Sequence, residues 1–407
     1  AQMSLDSPIP FLGRSPISDR RQTVVGMEFT VPSLPLGSSR LPALIQQLFN
    51  ELDLAAALKK LTCHIGVDRD FLLGDAIKTF PRGLVVIGIQ PQQILDNEEA
   101  IKRCRELRSL GFKLVLEDFT SPAYTPLLPL VDMVKLDPTM PGMDLAKIVD
   151  QVKNKNLKTI AVNVQTQSEY EACLKMGFDL VEGYYFLRPK PSDKPTDTSR
   201  LALLKLLGLF NEDAETDEIE RVFKHEPALS FNLLRLVNSV SVGTKVQITT
   251  LRQAITVLGR RQLQRWLHLL LYTHQKGSET PSPLVQHAAM RGKLMELLAK
   301  RAGIKECDEG LQDRAFIAGI LSLLNVLLNL PIEEIVAKIN PAEDIRAALL
   351  ERKGWLGQVL SLIEKLEAKD YDSASSLLAQ TQLTLDDLTR SQVEALRWSN
   401  SVGSENA

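Results

Sequence analysis
The side chains able to hold a metal or attack a substrate are few and dispersed. Five histidines, His64, His225, His268, His274 and His287, are spread along the chain, and none is followed by aspartate. Hydrolysis at a histidine–aspartate metal centre needs these groups clustered, because imidazole and carboxylate together hold the ions. His287, on a helical pattern, reads as a packed or capped residue before it reads as a ligand. Cys63, Cys104, Cys173 and Cys307 form no CxxC and keep no regular spacing, so neither a zinc site nor a disulfide framework is indicated. Isolated thiols of this kind fit a reducing cytoplasm. The charges are less evenly laid out. Between Pro227 and Ser278 there is no Asp or Glu, while Arg235, Lys245, Arg252, Arg260, Arg261, Arg265 and Lys276 all occur. Such a stretch is either a basic docking face for an acidic partner or nucleotide, or a face paired within its own domain. Acidic residues further on, Glu364, Glu367, Asp370, Asp386 and Asp387, are available for that pairing. The aromatics that would stack nucleic-acid bases are few there: Phe231, Trp266 and Tyr272.

The elements that position these residues fall into two halves. Up to about Pro189, short apolar β-rich runs at Val24–Met27, Leu84–Ile89, Lys113–Leu116, Met133–Leu136 and Thr159–Val162 alternate with helical patterns. The latter lie near Leu41–Leu52, Glu98–Leu110, Asp144–Val152 and Ser168–Met176. Alternation of this kind predicts a parallel β/α architecture, with Gly111 and Gly177 as helix C-terminal caps. About 190 residues is short for a (β/α)8 barrel, which predicts a compact or irregular one. Residues 188–200, RPKPSDKPTDTSR, have linker chemistry. Beyond them the periods are helical: Leu229, Leu233, Leu236, Val237 and Val240, then Leu251, Ile255 and Leu258 closed by Gly259. Ser282 with Pro283 opens another helix, and Thr384 with Asp387 has the form of a capping box. The expected domains are residues 1–190, a linker 191–200, and 201–400. The helix over 311–330 is apolar on nearly every side, as in a core or an interface.

Composition narrows the class. The 407 residues are 44% hydrophobic and 24% charged, with a formal net charge of −2. That is an ordinary globular balance, and it argues against wholesale binding to nucleic acid or an anionic membrane. No N-terminal stretch has signal-peptide order and no apolar run is expected to reach the roughly 18 residues of a membrane span, so a cytoplasmic protein is expected.

GMEFT (Gly26–Thr30), LEDF (Leu116–Phe119), KLD (Lys135–Asp137), AVNVQT (Ala161–Thr166) and GFDLVEGYYFLRP (Gly177–Pro189) fall in the order and spacing of an EAL domain. The resemblance covers nearly all of residues 10–190. It implies a TIM-like barrel related to bacterial phosphodiesterases that linearise cyclic di-GMP with carboxylate-held metal ions. On that pattern Glu28 is the name-giving glutamate, Lys135 and Asp137 match, and Glu117-Asp118 stands for a pair of aspartates. Glu182 replaces a glutamine. Gly66 falls where an asparagine ligand is expected, Gly88 and Pro91 where glutamates end the next strand, and Val162 and Gln165 where two more glutamates stand. Replacing an oxygen ligand by Gly or an aliphatic residue removes the bond outright. The resemblance with these departures implies a vestigial ligand site at Glu28, Glu117, Asp118, Lys135, Asp137 and Glu182. It also implies no cofactor beyond weak residual Mg or Mn, and no phosphodiesterase activity. The survivors equally suit an ion-pair cluster, with Lys135 neutralising Asp118 or Asp137 across the mouth.

HEPALSFNLLRLVNSVSV (His225–Val242) followed by TTLRQAITVLGRRQLQRWLHL (Thr249–Leu269) resembles an HDOD domain, an all-helical relative of the HD phosphohydrolases without their metal site. Ser322-Leu323 stands where an HD pair would be expected. The two resemblances together imply a bacterial signalling protein with an α/β barrel followed by an all-α domain. The expected function is a catalytically inactive adaptor acting through protein–protein contacts in a cyclic di-GMP-related pathway, with Arg252, Arg260, Arg261 and Arg265 as a candidate docking face. The alternatives are a receptor whose barrel still binds cyclic di-GMP or another nucleotide, and, last, a residual phosphodiesterase. A homodimer is left open, since related barrels often dimerise.

Overall fold
The computed structural model describes residues 11–32, 41–142, 144–188, 198–225, 233–234, 237–238, 248–273, 283–303 and 310–402. Residues 191–197 of the predicted linker, Ser282, and much of the His225–Val242 motif lie outside these residues, while 198–200 already belong to the helix Thr198–Asn211. Contacts divide the chain into two units. One is Ala1–Lys190 with the short segment Leu366–Tyr371; the other is Pro191–Lys365 with Asp372–Ala407.

The first unit is a closed barrel of eight strands in sequence order: β1 (Gly13–Ser18), β2 (Val24–Thr30), β3 (Thr62–Gly66), β4 (Val85–Ile89), β5 (Lys113–Leu116), β6 (Met133–Leu136), β7 (Lys158–Ala161) and β8 (Leu180–Glu182). β1 runs antiparallel to both β2 and β8, and the other neighbours are parallel. Periodicity found five of these strands. Pro16 hid β1, because proline removes a ladder donor and argues against a strand interior; β8 has only three residues. Helices Glu98–Ser109, Leu145–Lys153 and Gln167–Met176 follow the predicted spans within a residue or two, and Gly177 (φ 96°) caps the last. The fold economises on its connections. β5 and β6 are joined by a 3-10 stretch, Pro122–Leu130, whose Pro126 and Pro129 prevent an α-helix.

Strand alternation sends every second side chain inward. Val86, Val115, Met133 and Ile160, with Leu180 packed on them, form an apolar layer inside the barrel. Two residues further along each strand, at the C-terminal ends, the inward positions are Gly88, Glu117, Lys135, Val162 and Glu182. An apolar floor thus supports a polar mouth.

The second unit is helical. Helix Pro283–Arg301 packs on Leu311–Leu321 and on Leu385–Val402. The first two helices meet at Gly292 and Gly319, where a Cβ on Gly319 would lie 2.7 Å from the Arg291 carbonyl oxygen and the Gly292 backbone. Gly259 (φ 79°, ψ 159°) breaks the run Leu251–Thr273 where a helix end was predicted. Leu311–Leu328, contrary to expectation, is long and apolar enough by length and composition to cross a membrane. It is interrupted at Ser322 and Leu323, and 56% of it is buried inside the unit, as a core helix would be.

Candidate functional site
Glu28, Glu117, Asp118, Lys135, Asp137 and Glu182 line one cavity of about 270 Å³ at the barrel mouth, with Thr30, Gln90, Phe119, Thr120, Met140, Val162 and Lys369. β2 delivers Glu28, β6 delivers Lys135, and Glu117 follows β5, its backbone N–H held by the Ile89 carbonyl at 2.9 Å. The expected pairing of Lys135 with Asp118 or Asp137 is not what forms. The Lys135 ammonium donates to Glu28 Oε2 at 2.7 Å and to Glu117 Oε1 at 3.0 Å. Asp137 instead accepts from the N–H and hydroxyl of Thr139 at 2.8 and 2.6 Å, and Asp118 is exposed in a left-handed turn (φ 47°). The reason is reach. Asp118 is turned out to solvent and Asp137 is held by Thr139, whereas Glu117 has one methylene more than the aspartate of the family pattern.

Glu117 extends over Gly66 and Gly88. A Cβ on Gly88 would lie 2.4 Å from Glu117 Oε1, and one on Gly66 would lie 3.2 Å from Oε2. The two glycines therefore make room for a carboxylate whose other oxygen accepts from Gln90 Nε2 at 3.2 Å. Burial pushes the Glu28 carboxyl up to about 7, against the pull of Lys135. Burial also opposes the Lys135 charge, but the two carboxylates outweigh it and raise the ammonium further. Burial alone would raise Glu182; Lys369 at 3.4 Å and the Asn163 N–H at 2.7 Å hold it below the usual carboxylate range. Gln90 and Lys369 were missed in the sequence. Gln90 lies between Gly88 and Pro91, in a motif read only for the glutamates it lacks, and Lys369 is far along the chain. Gln165 is exposed and bonds Asn163 rather than entering the mouth.

In the helical unit, Ser322 is buried in the turn after Leu311–Leu321; its hydroxyl donates to the Gly319 carbonyl and accepts from Arg291 at 3.0 Å. His287, one turn before Arg291, is buried. The arginines proposed as a docking face are engaged within the unit. Arg252 pairs with Asp217 and Glu220, Arg261 with Asp313, and Arg265 with Glu296, while Arg260 donates to the Ala214 carbonyl. The partners are not the late acidic residues: Glu364 pairs with Arg352 and Asp386 with Arg390. Arg235, Lys245 and Lys276 lie outside the described residues.

The EAL domain family matches residues 73–189 and the HDOD domain family matches residues 200–353. The chain joins an EAL domain to an HDOD domain. The EAL match begins after β3, so Glu28 lies before it, on a strand that the closed barrel nevertheless places beside Lys135. The cyclic di-GMP phosphodiesterase CdgJ of Vibrio cholerae is 27% identical over 410 residues, 96% of this chain and 93% of its own. YuxH of Bacillus subtilis, an uncharacterized protein, is 25% identical over 96% of this chain and 98% of its own. BlrP1 of Klebsiella pneumoniae, solved as a manganese and cyclic di-GMP complex, is 20% identical over 46% of this chain and 57% of its own, with a TM-score of 0.36.

The Vibrio relative overturns the reading of this chain as a non-enzyme. A protein that aligns with it almost from end to end bears an enzyme's name, and the substituted motif positions alone do not establish inactivity. Motif positions report which groups are missing from their usual places, and not those the fold supplies from elsewhere, such as Gln90 and Lys369.

The family's divalent metal pair is a separate matter. The residues present do not fit it. Gly66 and Gly88 offer no side-chain oxygen, Glu28 and Glu117 both bond the Lys135 ammonium, and Asp137 caps its own turn. Among the described residues, no group of three or more His, Cys, Asp or Glu side chains could hold a metal ion.

Proposed function
We propose that this protein acts in cyclic di-GMP signalling and that the EAL mouth takes the dinucleotide, with the HDOD domain making the contacts to a regulatory protein. The observation that carries this reading is the convergence of Glu28, Glu117, Asp118, Lys135, Asp137 and Glu182 on one cavity at the C-terminal ends of the strands. That is the face on which β/α barrels bind their ligands. The chemistry suits a guanine dinucleotide. Rim carboxylates accept from the N–H groups on a guanine edge, while Lys369 at the rim supplies positive charge for phosphate.

Calorimetric titration of the full chain with cyclic di-GMP tests it. Saturable binding tighter than about 100 μM is expected, weakened at least about tenfold by Asp118→Ala or Asp137→Ala together with Glu182→Gln. No heat with the wild-type chain would remove the proposal. A second reading, hydrolysis of the same nucleotide, is supported by the name of the Vibrio relative. Chromatography of the titration mixture separates the two, because linear dinucleotide formed above a Glu28→Ala control makes the ligand a substrate.

A further inference from the structure
We infer that Lys135 is the resident cation of this EAL mouth, and that a divalent ion gains Glu28 and Glu117 only by displacing it. The inference does not depend on which nucleotide the mouth takes. The ammonium sits 2.7 Å from Glu28 Oε2 and 3.0 Å from Glu117 Oε1, and the three side chains are 7%, 10% and 16% exposed for Lys135, Glu28 and Glu117. In a site this dry a fixed positive charge shared by two carboxylates occupies the place a metal would take, and a second cation placed beside it is repelled.

The surroundings are built to keep this arrangement. Glu117 reaches the lysine because positions 66 and 88 are glycine; a Cβ at Gly88 would stand 2.4 Å from the very oxygen that accepts from Lys135. Gln90 Nε2 fixes the other oxygen at 3.2 Å. The glycines, the glutamate and the glutamine thus form one device: the space left open at two positions is filled by the third. The chain Glu28–Lys135–Glu117–Gln90 leaves the acidic mouth without the convergent oxygen set a divalent ion requires.

Titration of the full-length protein with Mn2+ alone, with free ion counted by electron paramagnetic resonance, tests this. The wild-type chain is expected to show no Mn2+ site tighter than about 1 mM that depends on Glu28. Lys135→Met removes the resident charge and is expected to tighten Mn2+ binding by at least about tenfold, with the gain lost on adding Glu28→Gln. Lys135→Gln, which keeps a hydrogen-bond donor between the carboxylates, provides the same comparison should the methionine variant fail to fold. A wild-type Mn2+ site of micromolar affinity that Glu28→Gln abolishes would overturn the inference. So would unchanged affinity in a folded Lys135 variant.

Discussion

Lys135, Glu28 and Glu117 set one ammonium between two carboxyl groups in a nearly dry layer of the barrel, and their substitutions are not equivalent. Lys135→Met leaves two buried carboxylates uncompensated and is expected to destabilise the barrel by about 3–5 kcal/mol. Glu28→Gln leaves Lys135 paired with Glu117 and should cost only about 1–2 kcal/mol. Denaturant unfolding of the two variants checks the order; equal losses would mean that Glu117 does not share the lysine. Lowering the pH should restore part of the Lys135→Met loss, since protonated carboxyls no longer repel each other. Glu28, Lys135 and Asp137 were legible in the sequence from their motifs. The use of Gly66 and Gly88 was not, because a missing side chain states what is lost and not what occupies the space.

At the scale of elements, the helical unit depends on a close crossing. A methyl group on Gly319 would meet the Arg291 carbonyl and the Gly292 backbone at 2.7 Å, and backbone atoms cannot turn aside as a side-chain tip can. Gly319→Ala is therefore expected to cost about 2–3 kcal/mol, read as a lower melting temperature of the HDOD domain. The predicted capping box forms as written. The Thr384 N–H donates to Asp387 and the Asp387 N–H to the Thr384 hydroxyl, both at 3.0 Å. Thr384→Ala should cost about 1 kcal/mol by the same measurement. Caps are local and so can be read from a few adjacent residues. The crossing at Gly292 and Gly319 joins two helices, and a glycine inside a helical pattern does not announce its neighbour.

Across the whole molecule, each unit carries a buried histidine that responds to acid. His64 lies inside the barrel wall, where burial and then Lys135 lower it to about 3. His268 is buried in the helical unit, and burial lowers it to about 4 against its bond to the Gln264 carbonyl. Both titrate near 6.5 once unfolded, so between that pH and the folded values the unfolded chain binds more protons. Stability is then lost as pH falls from about 6.5, by about 1.4 kcal/mol per pH unit for each histidine. Thermal melts from pH 7 to pH 4 should show the helical unit's transition falling, whereas in the barrel the raised Glu28 carboxyl takes up a proton over the same range and offsets the loss from His64. His268→Gln should flatten the helical unit's dependence, and His64→Gln should leave the barrel gaining stability as pH falls from 7 to about 4.5, whatever either does to stability at pH 7.

What the sequence determined by itself was the class of each half and the carriers of its chemistry. Alternating strands and helices followed by helical periods follow from local spacing, and five motifs in order identified the barrel's ancestry. Glu28 and Lys135 could be named because they sit within those motifs. Only the tertiary structure decided which charges meet. Glu28 and Lys135 are 107 residues apart, and it is barrel closure that sets one beside the other and sends Glu117 across two glycines to join them. The sign and strength of a charge depend on its neighbours and its burial, and neither is a property of the residues adjacent in the chain. The same limit applied to catalysis: absent motif residues could be counted in the sequence, but Gln90 and Lys369 entered the mouth only on folding.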